Sequence, residues 1–90
     1  MSNDNKECYC LNMVILWDEN NIAHLAMHGV TPALAEKIIE YGTITRSVVN
    51  CRYIIEASVD DNHYRLICDI ALDGATIYPV TAFRIRKRKI

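Results

Sequence analysis

Only three glycines and two prolines occur in 90 residues. So few glycines leave no glycine-rich loop to cradle a phosphate, and no Pro- or Gly-rich linker divides the chain. Neither G-x-S-x-G nor H-E-x-x-H is present, which leaves hydrolase and zinc-protease chemistry without support. The longest apolar run, Met13-Val14-Ile15-Leu16-Trp17, falls far short of the roughly 20 residues that span a bilayer, so no membrane partner is expected. Met1 to Lys6 is polar and mildly acidic, with no basic stretch leading into an apolar one. No signal peptide is read there, and the cytoplasm is the expected location. A net charge of −1 argues against a protein that grips nucleic acid by overall positive potential, so such a role would need a local patch.

What is present suits one small domain spanning residues 1–90. The hydrophobic fraction of 51% can build a core, although a chain this short buries a modest share of its surface. Four cysteines do not make a disulfide set where an apolar core suffices. Cys51 and Cys68 lie in alternating segments as small buried hydrophobes, and Cys8 and Cys10 lie in an arm, residues 1–11, expected to be flexible. No metal or other cofactor is expected, because C-x-C lacks two further ligands at matching spacing.

The pattern along the chain predicts an α+β fold. A first strand covers Asn12–Leu16. Asp18 is placed to cap a helix, Glu19 adds charge favoured by the helix dipole, and Ile22, Leu25 and Ala26 form one apolar face. Gly29 stops that helix. Thr31-Pro32 opens a second helix, which runs through Ala33 to Tyr41 and ends at Gly42. The period then changes. Thr43–Val49, Arg52–Val59, Tyr64–Leu72 and Thr76–Ile85 read as strands, separated by Asn50, by Asp60-Asp61-Asn62 and by Asp73-Gly74. Such short connections imply a four-stranded antiparallel meander, with Pro79 marking a bulge or an outward-facing edge position. Arg86-Lys87-Arg88-Lys89 near the end, residues 86–90, is the one charge run. It reads as a solvated tail, as a contact for acidic groups of a partner, or as a nonspecific footprint on nucleic acid.

Candidate site residues are few. His24 and His28 lie four apart on the first helix but lack the third ligand of a metal centre. His28 is also placed to interact with the helix C-terminal carbonyls. Trp17, the sole tryptophan, reads as a core anchor. Arg52 and Arg65 fall on adjacent predicted strands, with Arg46 and Arg84 on others. Arginines gathered on one sheet face can bind a phosphodiester and stabilise charge during its cleavage, and Tyr53 and Tyr64 could stack on bases. No acid–base pair is visible in the spacing.

The stretch Trp17–Ile39 resembles the opening of BrnT-type proteins, toxins of bacterial type II toxin–antitoxin pairs with a RelE-like fold. Trp17, Asp18, Asn21, His28, Gly29 and Val30 match, and the order of helices then strands extends the resemblance over about residues 13–85. It implies metal-independent RNA cleavage, with an antitoxin of ribbon-helix-helix type as partner. Carried over by position, His28 matches the histidine of the H-G pair and serves as acid–base or positioning group. Arg52 and Arg65 match basic strand positions that bind phosphate, and Arg84 assists. The chain departs from the family at Met27, where Lys is usual. In Val80-Thr81-Ala82-Phe83-Arg84 the arginine is displaced by one, which moves it to the other face unless a bulge resets the register. Small domains of the same superfamily share the helix hairpin and a turn like Glu40-Tyr41-Gly42-Thr43-Ile44 without assured catalysis. The expected function is therefore a toxin endoribonuclease, and the alternative is a non-catalytic protein-interaction module. A third expectation is a homodimer paired through edge strands.

Overall fold

The computed structural model describes residues 6–10, 13–46 and 52–85. Its elements are β1 (Lys6–Cys10), β2 (Met13–Trp17), α1 (Glu19–Ala26), α2 (Pro32–Tyr41), β3 (Thr43–Arg46), β4 (Tyr53–Val59), β5 (Asn62–Ile70) and β6 (Thr76–Ile85). The fold is α+β, with two helices and a mixed sheet ordered β1-β2-β6-β5-β4-β3. Strands β3 to β6 pair antiparallel in sequence order, as the short connections require. β2 joins beside β6 in parallel, through Val14–Thr76 and Ile15–Ile77. Residues 6–10, read from sequence as part of a flexible arm, instead pair as β1 antiparallel to β2. The expected turn at Asn50, Cys51, the distal part of the predicted Thr43–Val49 strand and the basic tail lie outside the described residues.

Capping fixes the junction between β2 and α1. Asp18 Oδ1 accepts from the Asn21 N–H at 2.8 Å, and Asn21 Oδ1 accepts from the Asp18 N–H at 2.8 Å. This reciprocal pair satisfies two donors that the first helical turn would otherwise leave open. Asn21 is buried, and its Nδ2 donates to the Leu16 carbonyl at 2.9 Å, so its polar groups are matched. Tyr78 from β6 then donates to Asp18 Oδ2 at 2.7 Å, tying the cap to the sheet. These contacts hold the Asp18 carboxyl below its ordinary value, the Asn21 N–H first and Tyr78 next, and they raise the Tyr78 phenol.

Gly29 closes α1 with φ at +75°, while the Val30 N–H reaches the Leu25 carbonyl and the Gly29 N–H reaches Ala26, both at 3.0 Å. This left-handed close is the one the sequence anticipates. Thr31 caps α2 by accepting from the Leu34 N–H at 3.1 Å, with Pro32 in the first turn. Gly42 ends α2 for a different reason than expected. Its φ of −88° is open to any residue, but a Cβ there would stand 2.4 Å from both the Ile38 carbonyl oxygen and Ile55 Cγ2. Gly42 is required by close approach of helix and sheet rather than by a left-handed turn.

The β4–β5 turn explains why β5 starts two residues before the predicted Tyr64. Asp60 and Asp61 both take positive φ, 51° and 67°, so pairing begins at once with Val59–Asn62. A two-residue turn of this hand matches the strand twist. At the next turn Asp73 Oδ1 accepts from the Ala75 and Thr76 N–H groups and Gly74 has φ at +70°. The Ala75 bond, then Thr76, holds the Asp73 carboxyl below its ordinary value. Pro79 marks the expected bulge: Ile67 pairs Thr81 and Cys68 pairs Pro79, leaving Val80 unmatched.

α2 packs on β4 and β5, and α1 packs against β6. The core between them joins Ile15, Trp17, Leu25, Val30, Ala35, Ile38, Ile55, Leu66, Cys68, Ile77 and Ala82. Each large side chain buried there contributes about 1.5–3 kcal/mol. The Trp17 indole N–H is buried and finds no hydrogen-bond partner among the described residues. Burial, with the Asp69 charge adding, pushes the Cys68 thiol up to about 12, in keeping with its reading as a small hydrophobe.

Candidate functional site

Strand alternation sorts β4 and β5 into two sides. Ile55, Ala57, Val59, Leu66 and Cys68 are buried under the helices. Arg52, Ile54, Glu56 and Ser58 of β4, with His63, Arg65, Ile67 and Asp69 of β5, take the other side, where no helix among the described residues packs. That open face is a row of cross-strand pairs. Glu56 lies opposite Arg65, Ile54 opposite Ile67 and Ser58 opposite His63.

The side chains meet as the register directs. Arg65 Nε and Nη2 both reach Glu56 Oε2, at 2.7 and 2.6 Å. Glu56 Oε1 is then left toward His63, whose Nε2 is 3.9 Å away. His63 Nδ1 lies 3.0 Å from Ser58 Oγ. At the other end of the pair, Arg52 Nε meets Asp69 Oδ1 at 3.2 Å. These two ion pairs stand four residues apart along the strands, about 13 Å, with Ile54 and Ile67 between them.

The expected site is assembled only in part. Arg52 and Arg65 do share a face, but each is held by a carboxylate. His28, exposed just beyond α1, stacks on His24 at 6.2 Å and meets the edge of Phe83 at 6.3 Å. Phe83 lies opposite Arg65 in the sheet, which brings His28 toward the same region. Arg84 does not join it. It pairs opposite Tyr64 and alternates with buried Ala82, so it belongs to the helix side, with its Nη1 3.4 Å from Asn62 Oδ1. The bulge at Val80 sets this parity, and it places Phe83, not Arg84, beside Arg65. Tyr53 and Tyr64 also stand on the helix side, partly buried and packed against the core. Arg46 ends β3, its backbone paired with Tyr53.

Glu56, Ser58, His63 and Asp69 were missed by the sequence argument. The signal that could have found them is the repeated spacing Arg52-x-Ile54-x-Glu56 and Arg65-x-Ile67-x-Asp69, which period two brings onto one face. Among the described residues no group of three or more His, Cys, Asp or Glu side chains could hold a metal ion. No helix among them is long and apolar enough to cross a membrane.

No protein-family model, curated protein or solved structure matches the chain. The residues that carry the sequence resemblance have local duties that need no substrate. Trp17 and Val30 are core, Asp18 and Asn21 form the capping box, and Gly29 takes the left-handed turn. His28 alone of the matched set is exposed and free of such a duty.

Proposed function

We propose that the chain is a non-catalytic protein-interaction module on a RelE-like fold, with the open face of β4 and β5 as its contact surface. The observation that carries this reading is the neutralisation of both central arginines, Arg52 by Asp69 and Arg65 by Glu56. A guanidinium already engaged by a carboxylate offers a phosphodiester little net field, and stabilising a transition state requires charge aimed at the developing oxyanion. Matched charges around two partly exposed isoleucines suit a protein surface better, since such contacts combine an apolar centre with a polar rim.

A second reading is favoured by a separate observation, the gathering of Glu56, His63 and Arg65 on one face with His28 approaching through Phe83. On it the chain is the toxin of a type II pair, a cytoplasmic endoribonuclease needing no metal, with a ribbon-helix-helix antitoxin as partner. Glu56 would take the proton of the RNA 2′-hydroxyl as that oxygen bonds to phosphorus. Arg65 would steady the phosphorane, and an imidazole would protonate the 5′-oxygen as its bond to phosphorus breaks. Arg65 would first have to leave Glu56.

Digestion of bulk RNA in EDTA, by the wild type beside an Arg52→Ala/Arg65→Ala double variant and Glu56→Gln, separates the two. The interaction reading expects intact RNA from folded protein in every lane. Cleavage by the wild type that is lost in the variants would overturn it and establish the toxin.

A further inference from the structure

We infer that the open face of β4 and β5 is self-complementary and pairs two copies of this chain, sheet against sheet, an inference that rests on the interaction reading above. Arg52, Glu56, Arg65 and Asp69 stand at the corners of a rectangle centred on the Ile54–Ile67 pair. Around that rectangle the signs alternate, because Arg52 faces Asp69 across the strands and Arg65 faces Glu56. The same Arg-x-Ile-x-acid spacing, read in opposite directions on two antiparallel strands, produces the alternation.

A pattern of this kind matches its own image. Two-fold pairing places one patch against itself, as in an isologous dimer. With the axis in the sheet plane and along the strands, Arg52 of one copy lies over Asp69 of the other, and Glu56 over Arg65. With the axis in the plane and across the strands, Arg52 lies over Glu56, and Arg65 over Asp69. Every charge meets its opposite in both cases, while Ile54 and Ile67 meet isoleucines. Both axes also keep the strands of the two copies roughly aligned, the usual arrangement of face-packed sheets.

The four charged side chains are between 37% and 52% exposed, so they have room to bond across an interface while keeping their partners within the copy. Strands about 4.8 Å apart and about 20 Å long give β3 to β6, the strands that overlap in either pairing, a footprint on the order of 400 Å² per copy, or about 800 Å² for the pair. That lies below the size of a standard interface, which predicts a weak dimer that dissociates on dilution.

Sedimentation equilibrium over a wide concentration range tests the pairing. The wild type is expected to move from 10.3 kDa toward twice that mass as concentration rises, and to do so less at about 0.5 M than at about 0.05 M salt. Arg52→Glu/Arg65→Glu makes all four corners acidic, and Glu56→Arg/Asp69→Arg makes all four basic. Each double variant is expected to stay monomeric alone, and an equimolar mixture of the two to recover the dimer. Amide shifts of the wild type on dilution give a check that needs no variant to fold, with the changes expected at Ile54 and Ile67. A monomer at every concentration overturns the self-pairing and leaves the interaction reading standing. A dimer that survives both charge reversals, or dilution shifts confined to the β3 edge, also overturns it. RNA cleavage removes the interaction reading, and the mass measurement still decides the pairing independently.

Discussion

Strands β4 and β5 present two faces built by opposite rules. Toward the helices they offer Ile55, Leu66 and Cys68, all with no exposed surface. Away from the helices the same strands offer two ion pairs and two partly exposed isoleucines. Core packing explains the first face, because each buried side chain there adds stability. It does not explain the second. Half-exposed ion pairs contribute little to folding, since solvent screens them and ordering two long side chains costs entropy. A surface so regular and so weakly stabilising is where selection for contact, rather than for folding, is to be sought.

The comparison is broken most directly by trimming neighbours on opposite faces. Leu66→Ala should cost about 2–5 kcal/mol in urea unfolding, through lost burial and the cavity left behind. Ile67→Ala, one residue on, should cost about 1 kcal/mol at concentrations where the chain is monomeric. Equal costs would mean that the open face is covered in the folded monomer. Gly42→Ala comes next, at about 1–3 kcal/mol, because a Cβ at 2.4 Å from a backbone oxygen forces helix and strand apart. A neutral Gly42→Ala would show that this contact relaxes without strain. Thr31→Ala should lose about 1 kcal/mol with the cap it supplies to α2. The smallest effect belongs to the open face itself, where Arg52→Ala should shift stability by no more than about 0.5 kcal/mol, with α2 and β5 unchanged by circular dichroism and amide exchange.

Acid and alkali should act on the Asp18–Tyr78 contact at the start of α1 and on the Asp73 turn. Asp18 and Asp73 have folded pKa values below the ordinary 3.8, so their contributions are complete above that value and fade as pH falls through the lower folded values. The Tyr78 phenol is raised above the ordinary 10, so its contribution is complete below pH 10 and is lost as pH rises through the higher folded value. Stability measured against pH should therefore fall at both ends, and Tyr78→Phe should remove the alkaline limb while weakening the acid one. An alkaline limb unchanged in Tyr78→Phe would assign it elsewhere.

The two helices were legible because their ends are written in short-range chemistry. Asp18, Gly29, Thr31 and Pro32 act on neighbours within a few residues, so spacing alone locates them. β1 was not legible, because a five-residue strand at the edge of a sheet draws its stability from pairing with β2 rather than from its own pattern. The candidate site was half legible. Arg52 and Arg65 were found as strand arginines, but their carboxylate partners follow from a register that the Asp60-Asp61 turn sets two residues earlier than its composition suggested. Arg84 was lost from the site through the bulge at Val80, whose effect on parity depends on how Pro79 sits between two neighbouring strands.

Sequence by itself determined the order of elements, the capping of both helices, the meander of the last four strands and the place of Trp17 in the core. All of these rest on period and on contacts within a few residues, where side-chain chemistry acts directly on the adjoining backbone. Only the tertiary structure decided that β2 lies parallel to β6, that Gly42 is held by a clash rather than a turn, and that both central arginines meet acids across the strands. Those outcomes depend on which distant segments are brought within a few ångströms of one another, and pattern along one chain does not carry that distance.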